Sequence, residues 1–253
     1  MASPKKAAES DFFITGIPGL DALLENGIPR NSTVLLAGSP GTGKTILALQ
    51  VVHNACKKGK KCVYVSFDEN EHSLEKYARS FGWDFDEFQR KKLLVIKYVD
   101  VQHLEGLVSA SGRITQGLDV RKALHHVISA AFIPDLVIID SLSILMDIFF
   151  GSGKGRWLYA HKLFRSLEEL NATALLISEK MPLPEAPEVA DIEEFLADGI
   201  IALYYLRTGS YRERAIEVLK MKGCNHQEKL VAMRIEKGKG IYVAPDVEVF
   251  QHR

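Results

Sequence analysis

A glycine-rich motif at residues 38–45 constrains this chain more than any other feature. It fits the pattern G-x-x-x-x-G-K-[ST], in which successive backbone N–H groups turn inward and bind phosphate oxygens. In this pattern Lys44 reaches the β and γ phosphates of a nucleotide, and Thr45 places its hydroxyl on Mg²⁺. The sequence therefore predicts a nucleotide-binding P-loop made of Gly38, Ser39, Pro40, Gly41, Thr42, Gly43, Lys44 and Thr45.

The residues on either side of this motif favour a strand–loop–helix unit. Residues 33–37 form a short apolar run, which predicts the strand that precedes such a loop. A helix is expected to begin at Gly43, because neither Gly nor Pro occurs again until Gly59. The positive end of that helix would strengthen phosphate binding. The alternative is a glycine-rich turn without a ligand, which does not explain why the motif and its flanks occur together.

Beyond the loop, apolar runs alternate with helix-compatible stretches, and short strands follow one another from residue 199 onward. This order predicts an α/β fold: a doubly wound, mostly parallel sheet flanked by helices, with an antiparallel C-terminal strand extension. We expect one domain over residues 12–244, between a flexible N-terminus at 1–11 and a tail at 245–253. The predicted elements are a short helix at 21–25; strands at 62–67, 93–99, 136–140 and 172–178; helices at 72–81, 118–131 and 157–170; loops at 100–117 and 181–190; and final strands at 200–206, 214–221, 230–235 and 241–243.

Composition argues against several classes of function. The 253 residues carry equal numbers of acidic and basic side chains, so the net charge draws the chain neither to nucleic acid nor to anionic membranes. The most apolar stretch, residues 136–150, contains Asp140 and Asp147 and is too short to cross a bilayer. The N-terminus lacks the apolar segment of a signal peptide. Three cysteines without metal-binding spacing suit a reducing compartment and predict a cytoplasmic protein.

Carboxylates after two predicted strands supply the chemistry that a phosphate site needs. Asp140 ends an apolar strand, where it can hold the Mg²⁺ shell through water while Thr45 binds from the other side. Asp68 and Glu69 follow another strand and are the candidate general base that activates water for attack on the γ-phosphate. The alternatives are a turn or helix cap for Asp140 and an exposed acidic loop for the pair.

Several short stretches, taken in their order along the chain, point to one family of ATPases. They are Thr-Gly-Ile-Pro-Gly-Leu-Asp at 15–21 with Gly-Ile-Pro at 27–29, the P-loop, Val-Ser-Phe-Asp-Glu at 65–69, Phe-Gly-Trp-Asp at 81–84, Ile-Asp-Ser at 139–141, Glu-Glu-Phe at 193–195, and Leu-Lys-Met-Lys-Gly at 219–223. In these stretches the chain resembles the KaiC-like branch of the RecA superfamily, over residues 12–243. The resemblance implies a RecA-like core that uses ATP and Mg²⁺ and assembles into a ring, usually a hexamer, with ATP at each subunit boundary. Clock-type KaiC proteins carry two such domains in tandem, and this chain carries one.

The resemblance also implies which residues act in hydrolysis. Asp68 and Glu69 match two acidic residues that serve catalysis in the family, and Lys44 completes the predicted catalytic set. The family usually has Glu at the first of the two positions. Because Asp68 is one methylene shorter, we expect hydrolysis to be slow.

A further group of residues matches family positions that face the neighbouring subunit. Lys220 and Lys222 match a basic pair that reaches the neighbour's γ-phosphate, although the usual second residue is Arg. The change to Lys222 keeps a point charge and gives up bidentate geometry. His226 matches a residue near the neighbour's nucleotide. Glu194 and Phe195 stand where the phosphorylated half of clock KaiC has Ser-Thr, so autophosphorylation at that position is not expected.

Three functions are compatible with these features. The first is an ATP-hydrolysing ring or nucleotide-dependent switch, with or without an unidentified protein partner. The second is a recombinase-like DNA-binding ATPase, whose DNA-binding loops would lie near residues 149–156 and 180–190. The second of these loops is acidic, so nucleic acid is not the expected partner, and salt-dependent DNA binding would decide. The third is a nucleotide-sensing partner protein that does not hydrolyse ATP.

Overall fold

The computed structural model describes residues 11–100, 132–150, 154–180, 192–208 and 210–249. Within these ranges strands and helices alternate at first, and the last four elements are all strands. The strands are β1 (Phe12–Phe13), β2 (Ile28–Pro29), β3 (Thr33–Gly38), β4 (Cys62–Ser66), β5 (Leu94–Tyr98), β6 (Leu136–Asp140), β7 (Thr173–Ser178), β8 (Gly199–Thr208), β9 (Tyr211–Met221), β10 (Val231–Glu236) and β11 (Gly240–Glu248). The helices are α1 (Pro18–Leu23), α2 (Lys44–Lys57), α3 (Glu71–Ser80), α4 (Phe85–Arg90), α5 (Leu142–Phe150), α6 (Lys154–Glu168) and α7 (Ile192–Leu196).

One large sheet positions every part of the predicted site. Its strand order is β11-β10-β9-β8-β3-β7-β6-β4-β5, and β1 pairs with β2 in a separate antiparallel ladder. The six strands β8, β3, β7, β6, β4 and β5 lie side by side and are all parallel. Beyond β8, the strands β9, β10 and β11 follow in sequence order, each antiparallel to the one before it. The predicted fold class is therefore confirmed. Because β3, β4, β6 and β7 run in the same direction, the segments that follow them meet at one edge of the sheet.

Both faces of the sheet are covered, which explains the long apolar runs in its parallel strands. On β3, Val34 and Leu36 belong to a core that includes side chains from α1 to α4. Leu35 and Ala37 point the other way, into a second core that includes side chains from α5 and α6. None of the helices in the described ranges is both long and apolar enough to cross a membrane.

The first helix lies earlier than predicted. The sequence predicts a helix at residues 21–25, but α1 spans Pro18–Leu23. Proline is favoured in the first helical turn, because its missing N–H would be unpaired there in any case. Asp21 does not begin the helix. Its carboxylate accepts hydrogen bonds from the backbone N–H of Thr15 and of Gly16, both at 2.9 Å, and so fixes the turn that leads into α1.

The other differences concern short elements and strand ends. Helices α4, α5 and α7 and the ladder of β1 with β2 were not predicted. Helices α4 and α7 and both strands of the ladder are too short to show a regular apolar spacing. The loop predicted at 149–156 is wrong for most of its length, since α5 runs to Phe150 and α6 begins at Lys154. Strands β8, β9 and β11 are longer than predicted, since antiparallel pairing extends them into their turns, whereas β10 keeps the predicted length and is shifted by one residue. The loop at 181–190, the helix at 118–131 and nearly all of the loop at 100–117 lie outside the described residues, and the domain bounds of 12–244 stay a prediction.

His53 on α2 is a histidine packed among aromatic rings. Its imidazole stacks on Trp83 at a centroid distance of 5.5 Å and lies 5.6 Å from the ring of Phe88. Burial, helped by the positive charge of Lys57, lowers the pKa of His53 to about 4 from its ordinary 6.5. The unfolded chain therefore binds this proton at a higher pH than the folded protein does. Folding stability from His53 is fully present above pH 6.5 and is lost as the pH falls toward 4.

Replacing His53 with Phe should remove this part of the acid sensitivity while keeping an aromatic ring in place. Because the imidazole is only about half buried, the full pKa shift must be discounted. We expect the parent protein to lose roughly 1 kcal/mol more unfolding free energy than the variant between pH 7.5 and pH 5. Urea unfolding at the two pH values measures the difference. His72→Gln, on the exposed side of α3, is the matched control, and equal losses in His53→Phe and the parent would contradict the assignment.

Candidate functional site

The P-loop joins the end of β3 to the start of α2, and its shape depends on glycine. Gly43 precedes α2 with a left-handed φ of 108°, which side chains with a Cβ rarely adopt. Thr42 is fully buried and donates its hydroxyl to the Ser39 carbonyl at 2.9 Å, which closes the loop from within. Ser39, Pro40 and Gly41 form its exposed side. The loop therefore combines a fixed interior with a backbone that a phosphate group can approach.

Lys44 lies over the loop and is largely buried. Its ammonium group donates to the carbonyls of Gly38 at 2.7 Å and Ser39 at 3.2 Å. Burial lowers the pKa of Lys44, and the negative charges of Glu179 and Asp140 oppose that shift. The lysine head group is thus bonded to the loop backbone and lies within the influence of two carboxylates at strand ends, which is where a phosphate chain bound to the loop would need a cation.

Asp140 is the buried acidic centre of the site. It ends β6, is only 5% exposed, and its Oδ2 accepts the hydroxyl of Thr45 at 3.0 Å. The same oxygen accepts the hydroxyl of Tyr64 from β4 at 2.7 Å. Burial raises the pKa of the Asp140 carboxyl, while the hydrogen bonds from Tyr64 and Thr45 lower it, and the charge of Asp68 raises it further. A nearby cation would favour the charged carboxylate here.

The oxygen atoms of Thr45 and Asp140 fit a magnesium ion. Mg²⁺ prefers oxygen ligands, keeps several waters, and is held by one or two protein groups together with substrate phosphates. In the part of the chain that the structure describes, no cluster of three or more His, Cys, Asp or Glu side chains could hold a metal without such phosphates. A hydroxyl and a buried carboxylate beside a P-loop are therefore the appropriate donors for Mg²⁺ that arrives with a nucleotide.

Asp68 and Glu69 lie at the same edge of the sheet, directly after β4. Glu69 donates its backbone N–H to the Ser66 hydroxyl at 3.0 Å, and its carboxylate accepts the Tyr77 hydroxyl at 3.0 Å. That contact raises the pKa of the Tyr77 phenol. Asp68 is exposed, and its charge acts on Asp140. Asp68 is thus near enough for its charge to act on Asp140, whereas the Glu69 carboxylate is held by Tyr77 of α3.

Lys220 and Lys222 lie on the other side of the P-loop strand, at the end of β9. Lys220 donates to the carbonyls of Glu194 at 3.0 Å and Phe195 at 3.3 Å, near the end of α7. Lys222 forms an ion pair with Asp198 at 3.3 Å. Among the described residues, no hydrogen bond or ion pair joins either lysine to the P-loop of the same chain.

His226 lies in the segment between β9 and β10, where it is half-buried. Within the described ranges it makes no hydrogen bond to the P-loop. The structure therefore gathers Lys44, Thr45, Asp140, Asp68 and Glu69 into one site and leaves the lysine pair and His226 apart from it.

Three side chains at the site were not predicted: Tyr64, Glu179 and Arg214. Glu179 directly follows β7, so the rule that ligands bind beyond the carboxyl ends of parallel strands could have identified it. Arg214 donates to the Gly41 carbonyl at 3.1 Å and lies 4.6 Å from the centre of the Tyr205 ring. Its position depends on the register of β8 with β9, which the sequence does not specify.

Comparison with known proteins places these features in context. The family described as "ATPase: KaiC" matches residues 13–248. The circadian clock protein KaiC3 of Synechocystis is 31% identical over 237 residues, which cover 91% of this chain and 45% of that protein. A UPF0273 protein of Aeropyrum pernix is 32% identical over 244 residues, which cover 92% of this chain and 93% of that protein. The chain thus spans about half of the clock relative and nearly all of the second one.

A solved structure resembles the fold over almost its whole length. The KaiC-like protein PH0186 of Pyrococcus horikoshii superposes with a TM-score of 0.71 at 28% sequence identity. The match covers 92% of this chain and 98% of that protein. The sheet and the helices around the P-loop are therefore those of a known architecture.

Proposed function

The chain belongs to the KaiC family of ATPases, and from this we propose that it binds ATP with Mg²⁺ and hydrolyses it slowly. It would act as an oligomeric ring, by expectation a hexamer, or as a nucleotide-dependent switch. The observation that carries the proposal is the contact between Thr45 and Asp140, which joins the P-loop helix to the carboxylate of a neighbouring strand. We also propose a cytoplasmic location, because the three cysteines of the chain are free thiols, as is usual in a reducing compartment.

The chemistry can be assigned to groups of this chain. The backbone N–H groups of the loop and the Lys44 ammonium bind the phosphates, and Thr45 and Asp140 would hold Mg²⁺. When bound there, Mg²⁺ would supply positive charge to the phosphate oxygens. Asp68 and Glu69 orient a water molecule in line with the γ-phosphate and accept its proton.

Slow turnover has support from the geometry of the acidic pair. Asp68 has a shorter side chain than the Glu that is usual in the family, so its carboxylate must approach water from farther away. Glu69 has the longer side chain, but its carboxylate accepts a hydrogen bond from Tyr77. Neither group is both long and free, so the fraction of time in a productive geometry should be small.

A single experiment tests the proposed function. Light scattering with and without ATP–Mg²⁺ measures the mass of the particle, and phosphate release is followed in the same sample. We expect assembly to increase with ATP and phosphate to appear slowly. A monomer that releases no phosphate at any nucleotide concentration would count against both the ring and the ATPase.

The proposal extends to Lys220, Lys222 and His226, which would act on the nucleotide of the neighbouring subunit. Support comes from the contacts of the two lysines within their own chain. Lys220 bonds to α7 and Lys222 to Asp198, and in the described ranges neither bonds to the P-loop. In a ring, such a surface can meet the next subunit's phosphates in a head-to-tail interface. Burial and the charge of Lys222 lower the pKa of Lys220, so an added phosphate oxygen would stabilise its charged form.

Mixing two inactive variants should restore activity if the site is shared. Lys44→Ala subunits cannot bind ATP but keep their lysines, whereas Lys220→Ala/Lys222→Ala subunits bind ATP but cannot help a neighbour. Each alone should be nearly inactive. After equal mixing and reassembly, phosphate release should recover to roughly a quarter of the parent rate, because one boundary in four combines an intact loop with intact lysines.

The matched control is Lys229→Ala/Lys237→Ala, which removes two exposed lysines and should behave like the parent. Native mass spectrometry verifies that the rings contain both kinds of subunit. Mixed rings that show no recovery would leave Lys220 and Lys222 as an ordinary charged surface.

A further inference from the structure

A buried tyrosine contacts Asp140 but has no role so far in phosphate binding, metal binding or hydrolysis. Tyr64 lies in the middle of β4 and is completely buried. Its hydroxyl donates to Oδ2 of Asp140 at 2.7 Å. We propose that Tyr64 is a positioning residue, which holds the Asp140 carboxylate in the orientation that magnesium binding requires. This inference rests on the proposed ATPase function and adds a residue to it.

The register of the sheet explains how the contact arises. β4 and β6 are parallel neighbours, with Tyr64 beside Ile138 and Ser66 beside Asp140. Since side chains two residues apart point to the same face, Tyr64 and Asp140 lie on one face, displaced by two positions. The phenol is long enough to span that displacement. Thr45 comes from α2, which covers this face, so the carboxylate is held by one hydroxyl from the sheet and one from the helix.

Both hydroxyls bond to the same carboxylate oxygen. Oδ2 of Asp140 accepts from Thr45 at 3.0 Å and from Tyr64 at 2.7 Å. In the described ranges, no hydrogen bond involves Oδ1. Two donors on one oxygen fix the plane of the carboxylate and leave the other oxygen for the water shell of a metal. Outer groups that orient a metal-binding carboxylate in this way contribute strongly to metal affinity.

A purely structural role does not account for the hydroxyl. The ring of Tyr64 packs in the core beneath α2, where phenylalanine would bury as much apolar surface without a polar atom. Burying a hydroxyl has a cost unless it is hydrogen-bonded. Its partner is the carboxylate that also accepts the hydroxyl of the P-loop residue Thr45, so the hydroxyl is explained by what it does to Asp140.

Replacing Tyr64 with Phe should weaken metal-dependent nucleotide binding selectively. The Mg²⁺ concentration needed for half-maximal ATP binding should rise about tenfold, as is usual when an outer group around a metal site is lost. ATP affinity in the presence of EDTA should change less than about twofold, because the loop and Lys44 are untouched. Calorimetric titrations across Mg²⁺ concentrations measure both quantities without relying on hydrolysis. Mn²⁺ binding to the ATP complex, followed by electron paramagnetic resonance, should weaken in parallel.

Two comparisons separate positioning from general destabilisation. Tyr204→Phe removes another tyrosine–carboxylate hydrogen bond, from the half-buried Tyr204 to Glu217, and should leave the Mg²⁺ requirement unchanged. If Tyr64 acts through Asp140, then Tyr64→Phe should add no further loss of Mg²⁺ affinity in an Asp140→Asn background. Thermal unfolding without nucleotide or metal verifies that each variant is folded, and Tyr64→Met offers a second side chain without the hydroxyl.

The outcomes distinguish this inference from the proposed function. An unchanged Mg²⁺ requirement in Tyr64→Phe, when the parent binds ATP, would overturn the positioning role and leave the ATPase proposal intact. Equal losses with Mg²⁺ and with EDTA would also overturn it, since they would show general damage to the site. A parent protein that binds no ATP at any Mg²⁺ concentration would overturn both.

Discussion

Lys44→Ala should abolish the binding of ATP–Mg²⁺ that calorimetry can detect. The lysine supplies the cation of the loop, and its ammonium group is already held at the loop backbone by Gly38 and Ser39. Charge-assisted hydrogen bonds to phosphate of about 3 kcal/mol in total correspond to roughly a hundredfold in affinity. Hydrolysis should disappear with binding.

The control for this prediction is Lys57→Ala, at the other end of the same helix. It removes one exposed lysine from α2 and should leave ATP affinity unchanged. Thermal unfolding verifies that Lys44→Ala is folded, since the substitution also frees two loop carbonyls. If a folded Lys44→Ala protein bound ATP as tightly as the parent, the nucleotide site could not be assigned to this loop.

The double substitution Asp68→Asn with Glu69→Gln should stop hydrolysis and spare binding. The two amides keep the size of the side chains but cannot accept a proton from water. Loss of a general base reduces rates by about 100- to 10 000-fold. Phosphate release should fall by that range, while ATP affinity should remain near the parent value or improve, since two negative charges near the phosphates are removed.

Glu71→Gln is the matched control, because Glu71 is an exposed acidic residue in the first turn of α3, close to the pair in sequence. It should hydrolyse ATP at the parent rate. The two single variants then show which carboxylate is the base. If it is Asp68, Asp68→Asn alone should account for most of the fall in phosphate release. A double variant with the parent rate would place the base elsewhere, and Glu179 would be the first residue to test because its charge acts on Lys44.

The sequence was informative where local chemistry determines structure. The P-loop motif predicts β3 and the start of α2 to within a residue, because its glycines and its lysine have one structural context. The apolar run at 136–140 predicts β6 without error, because a short apolar run that follows Pro134 fits a strand covered on both faces. The motifs that follow these elements in order also identified the family, and the comparisons confirm it.

The sequence was uninformative where a contact depends on register between distant segments. Tyr64 reaches Asp140 only because β4 and β6 are neighbours in a particular register, although the two residues are 76 positions apart in the chain. Arg214 reaches the P-loop only because β9 folds back on β8 beside β3. The helix α5 was missed for a different reason: seven of its nine residues are apolar, and Ser143 and Asp147 alone do not mark the polar face that would indicate a helix.

The central place of β3 in the sheet has a consequence for how the molecule opens. β3 has a parallel neighbour on each side, β7 and β8, and all six of its residues are buried. Amide protons in such a strand exchange with solvent only when the whole domain unfolds, whereas β5 and β11, the outermost strands of the sheet within the described ranges, can fray at much lower cost. The phosphate-binding backbone begins at Gly38, the last residue of β3. In a partly unfolded molecule the outer strands would therefore separate before the P-loop strand does. Bound nucleotide would slow the final unfolding of β3 rather than the fraying of the outer strands.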